Sequence, residues 1–166
     1  MVKKLSFSNL DITIEEQADS ICYTFSGEVD ENFNQTQVPR IRKSKIYLEL
    51  GNIEQFNSVG IREWLLFIRD LKKQGSLVFK SCSVAVIDQI NMVPDSLGNG
   101  VVESFYAPYY CDCGKEVNKL IDTAECIGNL SSFVAPQFKC ECGKNLEFDA
   151  LEESYFQFVG NMKKTS

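Results

Sequence analysis

The chain has 166 residues, a formal net charge of −6 and no histidine. Its composition, 44% hydrophobic and 24% charged, is typical of one folded domain rather than of a disordered chain. The acidic balance argues against nucleic-acid binding, and the missing histidine excludes imidazole-based triads and metal ligands. The N-terminal segment has no long apolar run, so we predict neither a secretory signal nor a membrane span and expect a cytoplasmic protein.

The first half of the chain shows the alternation of apolar and polar residues that is typical of strands. This pattern predicts strands over residues 10–14, 20–29 and 45–50. The polar segment 31–44 is predicted to be a loop or a short helix. The basic run 40–45 within and after it is interpreted as a solvated loop.

An amphipathic helix is predicted after the third strand, ending at Gly75. Asn57 and Ser58 are both candidates for its N-cap, because each carries a side-chain oxygen for the free amide donors of the first turn. We expect Trp64 in the core and Arg62 in solvent. The apolar residues at helical spacing are Ile61, Trp64, Leu65, Ile68 and Leu71.

The second half is predicted to continue the alternation of strands and helices. Strands are predicted over 76–82 and 101–110, with a helix between them that begins after Ser83 and ends near Pro94. A C-terminal helix of about three turns closes the chain. This order predicts an α/β fold, with a mixed sheet covered by helices.

Two short segments, 109–116 and 138–145, are copies of one motif: aromatic-x-Cys-acid-Cys-Gly-Lys. Two such turns can supply four thiolates to a tetrahedral site, and a glycine after each pair can adopt positive φ. We therefore predict one structural zinc ion in a small zinc-ribbon-like insert, residues 108–145, within a single domain spanning 1–166. The four predicted ligands are Cys111, Cys113, Cys140 and Cys142.

Other chemistry for these cysteines stays open at the level of sequence. One residue separates each pair, whereas zinc knuckles use two, so disulfides, free redox-active thiols or an iron–sulfur cluster are alternatives. Cys22 and Cys82 lie on predicted strands and are interpreted as core residues, while Cys126 is unassigned. The aromatic residues around the motif are expected to pack the insert onto the sheet.

The segment 27–30 (Gly-Glu-Val-Asp) lies at the end of one predicted strand. The segment 57–61 (Asn-Ser-Val-Gly-Ile) follows another predicted strand through a short loop and begins the predicted helix. In their order and in the succession of strands and helices, they resemble the STAS domain family (sulfate transporter and anti-sigma factor antagonist). The resemblance covers roughly residues 8–107 and the final helix. Where the family has an acidic residue before its serine and a hydroxyl residue after it, this chain has Asn57 and Val59.

The resemblance implies a non-enzymatic regulatory domain that binds a protein partner, such as an anti-sigma factor or a serine kinase. It implies that Ser58 is the phosphoacceptor, with Asn57, Gly60 and Arg62 at the partner-binding surface. The plain alternative for Ser58 is a helix cap without a regulatory role. Alternatives for the whole chain are a zinc-stabilised scaffold subunit of a larger complex or a thiol-based redox protein, and a homodimer is an alternative to a monomer.

Overall fold

The computed structural model describes residues 1–164, which form a main six-stranded mixed sheet whose spatial order follows the chain. Its strands are β1 (Val2–Ser6), β2 (Leu10–Glu16), β3 (Ser20–Val29), β4 (Lys45–Phe56), β5 (Ser76–Lys80) and β6 (Val101–Val102). The two crossover helices are α1 (Ser58–Leu71) and α2 (Val84–Met92). The prediction of an α/β fold with a mixed sheet is confirmed.

The strand order places both crossover helices on one face of the sheet. β1, β2 and β3 pair in antiparallel fashion, whereas β3, β4, β5 and β6 pair in parallel. Parallel crossovers are right-handed, and each crossover here steps to the next strand in the same direction. α1 and α2 therefore pack on the same side.

The covered face of the sheet forms an aromatic core with α1. The ring of Phe25 lies 5.3 Å from Trp64 and 5.8 Å from Phe67, measured between centroids. The indole Nε1 of Trp64 donates a hydrogen bond to the carbonyl oxygen of Ser96 at 3.0 Å. Trp64 is 1% exposed, so its predicted core position is confirmed.

The opposite face of the sheet carries polar and half-buried side chains. The Lys80 ammonium lies 3.6 Å from the Glu49 carboxylate and 5.4 Å from the centre of the Tyr47 ring. Cys22 is in register with Tyr47 and is half-buried on this face. The core prediction is therefore wrong for Cys22, whereas Cys82 is fully buried as predicted.

The polar connection between β3 and β4 contains a single turn of 3-10 helix, Gln35–Gln37, which agrees with the predicted loop or short helix. The basic run after it is not uniformly solvated. The Arg40 guanidinium lies 5.4 Å from the centre of the Phe67 ring and donates to the carbonyl oxygens of Gln35 and Val38. The interpretation of this run as a solvated loop is wrong for Arg40, because its side chain packs against α1 and hydrogen-bonds to the connection.

A second, three-stranded antiparallel sheet follows the main sheet, in the order β8–β7–β9. Its strands are β7 (Ser104–Tyr110), β8 (Glu116–Asp122) and β9 (Glu147–Phe148). Three short helices accompany it: α3 (Ile127–Ser131), α4 (Glu152–Tyr155) and α5 (Phe158–Lys164). In residues 1–164, no helix is both long and apolar enough to cross a membrane.

The strand predicted over 101–110 is divided between the two sheets. β5 ends at Lys80, and Ser81 adopts a φ of 51°, so the regular pairing with the main sheet stops at Val102. Beyond it, only a single parallel bridge between Cys82 and Phe105 continues this side in the described part of the chain. The chain then pairs with β8 instead, as β7. The end of β5, rather than the sequence of 101–110 itself, therefore determines where the predicted strand divides.

The predicted C-terminal helix of about three turns is two short helices, α4 and α5. Phe156 and Phe158 both pack against the ring of Phe105, with centroids 6.3 and 5.0 Å away. Side chains two residues apart point in different directions on a continuous helix. The break between α4 and α5 lets both rings reach the same core.

Candidate functional site

The four cysteines of the duplicated motif converge at one end of the second sheet. The Sγ atoms of Cys111, Cys113, Cys140 and Cys142 all lie within 4.8 Å of one another. The facing pairs are Cys111–Cys142 at 3.5 Å and Cys113–Cys140 at 3.8 Å. A tetrahedral ion with Zn–S bonds of about 2.3 Å places its sulfurs about 3.8 Å apart, so the cluster is compatible with a metal site.

The two cysteine turns have the same backbone geometry. In the first turn, Gly114 N–H donates to the Cys111 carbonyl at 2.9 Å, and Cys111 N–H donates to Lys115 at 2.9 Å. The second turn repeats the first bond from Gly143 to Cys140 at 2.9 Å. The glycine φ angles are 95° and 92°, in the region that the sequence analysis predicted for both glycines.

Aromatic side chains next to the two cysteine turns pack against each other. Tyr109 precedes the first turn, is 2% exposed and donates its hydroxyl proton to the carbonyl of Pro136 at 2.6 Å. Its ring packs edge-on against Phe138, with centroids 5.2 Å apart. Because Phe138 precedes the second turn, this contact brings the two turns together. The predicted packing role is confirmed for Tyr109, whereas Phe133 is 41% exposed.

Each facing sulfur pair combines one buried and one exposed cysteine. Cys111 and Cys140 are buried, and Cys113 and Cys142 are exposed. The Cys113 N–H lowers the pKa of the Cys111 thiol, but desolvation and the neighbouring thiols outweigh it and raise that pKa to about 12. Four sulfurs this close ionise together only when a cation compensates their charge, so metal binding would release protons.

Charged side chains bridge the two turns beside the sulfurs. Lys115 and Glu141 form an ion pair at 2.7 Å, which raises the pKa of Lys115 and lowers that of Glu141. The sequence pattern alone does not predict that Glu141 contacts the first turn. The opposite charges in the two motif copies are the sequence signal for this contact. Cys126 lies before α3, outside the cluster.

The second candidate site is the N-terminus of α1. Asn57 is its N-cap: the side-chain Oδ1 accepts a hydrogen bond from Gly60 N–H at 2.8 Å, and Nδ2 donates to Glu31. Ser58 is the first helical residue and is exposed, so its interpretation as the cap is wrong. Arg62 lies one turn later on the same side and is also exposed.

The two segments that carry the STAS resemblance meet at this point. β3 and β4 are parallel, so their carboxyl ends lie at the same edge of the sheet. Asn57 N–H donates to the Val29 carbonyl at 3.2 Å. A Cβ atom on Gly60 would lie 1.8 Å from that carbonyl oxygen, so Gly60 allows α1 to approach β3 closely.

Asp30 holds the turn that follows β3. Its carboxylate accepts hydrogen bonds from Asn9 Nδ2 at 2.8 Å and from Asn32 N–H at 2.9 Å. The hydrogen bond from Asn9 is the main reason that the pKa of Asp30 is lowered. This turn thus presents negative charge beside the start of α1, where Glu31 contacts Asn57.

Comparison with protein-family models, with curated proteins and with solved structures finds no match to this chain.

Proposed function

We propose that the chain is a non-enzymatic regulatory domain of the STAS type, similar to anti-sigma factor antagonists, which binds a protein partner through the N-terminus of α1. The observation that carries the proposal is the placement of Ser58, exposed at the first position of a helix whose cap is supplied by Asn57. The hydroxyl of Ser58 is therefore accessible to a kinase without loss of the cap.

A phosphate at Ser58 would change this surface by charge alone. It adds about −1.5 to −2 charges, which the partial positive charge and free amides of a helix N-terminus tolerate. The Glu31 carboxylate bound to Asn57 would repel it. Arg62, one turn along α1, is the cation within reach. We infer that a phosphate on Ser58 would be repelled by Glu31 and would pair with Arg62, and that this change in surface charge alters partner affinity.

The test is a comparison of Ser58→Asp with Ser58→Ala. A purified serine kinase of the anti-sigma class, with ATP, should add one phosphate to the native chain and none to either variant, as read by intact-mass analysis. Partner affinity should differ between the two variants by tenfold or more. Ser132→Asp, at another exposed serine, is the control for added charge. Equal partner affinity of Ser58→Asp and Ser58→Ala would contradict the switch.

We infer further that the cysteine cluster holds one structural zinc ion per chain. Four sulfurs occupy all positions of a tetrahedral ion, so no open position remains for a catalytic water. Native mass spectrometry should find one zinc ion per chain, with slow alkylation of the exposed Cys113 and Cys142. Metal-free protein with rapid alkylation of these two thiols would instead support the thiol-based redox alternative.

A zinc-stabilised scaffold is the second candidate function. Apolar side chains remain exposed on the segment between the two motif copies, where Phe133 is 41% and Val134 is 48% exposed. Exposed neighbouring apolar residues are typical of interaction surfaces. Size-exclusion chromatography with light scattering tests self-association, and a dimer broken by Phe133→Asp would favour the scaffold.

A further inference from the structure

A basic groove lies at the amino ends of β4 and β5, at the opposite end of the sheet from Ser58. Its volume is about 750 Å³, within the range of small-ligand clefts. None of the residues that line it carries a carboxylate, although the whole chain has 23 acidic residues. The cationic lining residues are Arg42, Lys43, Lys45, Lys72 and Lys73.

Two of these five cations pair with carboxylates of the chain, and the other three are available to a ligand. Lys43 is bound to Glu16 at 3.0 Å, and Lys73 lies 3.6 Å from Asp70. The other three have no carboxylate within 4.0 Å among the side chains of residues 1–162. These three are Arg42, Lys45 and Lys72.

The floor of the groove is held by backbone contacts between two connections. Lys43 N–H donates to Gln74 at 3.1 Å, and Ser76 N–H donates to Ser44 at 3.3 Å. A Cβ atom on Gly75 would lie 1.9 Å from the Lys43 carbonyl oxygen, so the backbones of the two connections are in close contact there. The cations are therefore presented by a preformed surface.

A second groove of about 690 Å³ continues from the basic one. Most of its lining is apolar, and it also contains the carboxylates of Glu103 and Asp122. The two grooves share Lys45, Val78 and Val101 in their linings. Val101 and Ile127 line the apolar part and are 48% and 40% exposed. The hydroxyl oxygen of Thr123, which also lines it, is buried and has no hydrogen-bond partner in the described part of the chain.

We propose that this continuous groove binds an anionic amphiphile: a phosphate headgroup at Arg42, Lys45 and Lys72, with one alkyl chain along Val101 and Ile127. Charge complementarity places the headgroup in the basic groove. The residues that line both grooves place the alkyl group of the ligand in the second groove. A nucleic acid fits less well, because the described lining contains no aromatic ring on which bases could stack. This proposal does not depend on the function proposed for Ser58.

The experiment is calorimetric titration of the full-length chain with inorganic phosphate, hexyl phosphate and decyl phosphate, below micelle-forming concentrations. Affinity should increase with chain length, by at most about fourfold per buried methylene. Lys45→Glu and Lys72→Glu should each weaken decyl phosphate binding at least tenfold. Ile127→Asp should weaken decyl phosphate binding but leave inorganic phosphate unchanged.

Lys3→Glu is the matched control, because it makes the same charge change at an exposed residue of β1, outside both grooves. Equal affinity for inorganic and decyl phosphate would overturn the amphiphile and leave a headgroup site only. Binding confined to anionic vesicles, or tighter binding of a single-stranded oligonucleotide with the same variant sensitivity, would also overturn it. Circular dichroism of each variant verifies folding, and Lys72→Gln repeats the test with a smaller change.

Discussion

The main six-stranded sheet and the second sheet that carries the cysteines are stabilised in different ways. The main sheet buries a cluster of large rings, including Phe25, Trp64 and Phe67, each at most 1% exposed. Strand β8 of the second sheet has one fully buried residue, Ile121, in seven. β7 shares the hydrophobic core with the main sheet through Phe105, Ala107 and Tyr109. We therefore expect the core to hold the main sheet and β7 without an ion, and β8 and the cysteine turns to depend on the cross-link that a bound ion would provide.

Metal removal should separate the two units most clearly. Structural zinc contributes on the order of 10 kcal/mol of folding free energy in small zinc modules, so chelation should unfold the cysteine turns and β8. Amide hydrogen exchange should show lost protection over 111–122 and 138–145 and retained protection over 10–110. Acidification should release the ion in the same way, because the ligands must be deprotonated.

Two cysteine variants control this experiment. Cys140→Ser removes a predicted ligand and should abolish tight zinc binding, whereas Cys126→Ser, outside the cluster, should retain one ion per chain. Retained exchange protection of 111–122 and 138–145 after complete metal removal would show that β8 and the cysteine turns fold without an ion.

Trp64→Ala should destabilise the main sheet and leave the cysteine cluster unchanged. The indole is fully buried, so its loss should cost about 3–5 kcal/mol of unfolding free energy in the main sheet, measured by denaturant titration. Trp64→Phe keeps most of the packing and isolates the hydrogen bond to Ser96. Zinc stoichiometry in the folded variants should not change. A loss below about 1 kcal/mol for Trp64→Ala would contradict its position in the core.

A glycine pair tests the geometry of the cysteine turns. Gly114→Ala forces a side chain into a φ of 95° and should cost about 1–3 kcal/mol, seen as a tenfold or larger loss of zinc affinity. The space around Gly114 is open, so conformation and not collision is the cause. Gly128→Ala is the matched control, because Gly128 lies in α3 with the same open space. Equal effects of the two variants would show that the turn does not require a glycine.

Local patterns in the sequence predict the elements whose burial is regular. β2, β3 and α1 were predicted because apolar residues recur at strand or helix spacing. β1 is exposed at four of its five residues and has no such alternation, so it was missed. β8 was missed for a similar reason, because only Ile121 in it is fully buried.

The same distinction applies to the candidate sites. The cysteine cluster was predicted because a repeated local motif specifies both turns. The partial burial of Arg40 was not predicted, since it depends on Phe67, which is distant in sequence. In the sequence, Asn57 and Ser58 are equally suitable as caps, and the hydrogen bond from Gly60 N–H to Asn57 resolves that choice.

The smallest expected effect concerns the cap of α1. Asn57→Ala removes the oxygen that accepts from Gly60 N–H and should cost about 1 kcal/mol of unfolding free energy. Asn57→Ser retains a capping oxygen but loses the amide that donates to Glu31. Denaturant titration should therefore place Asn57→Ser between the native chain and Asn57→Ala, closer to the native chain.

The order of these variants separates stability from the proposed switch. If Ser58 could replace Asn57 as the cap, Asn57→Ala would match the native chain in stability. If the bond to Glu31 were the main contribution, Asn57→Ser and Asn57→Ala would be equally destabilised. Glu31→Gln tests the second case directly, since it removes the charge that we expect to repel a phosphate on Ser58 while it leaves the cap intact. Reduced dependence of partner affinity on phosphorylation in Glu31→Gln would assign the effect of the phosphate to that repulsion.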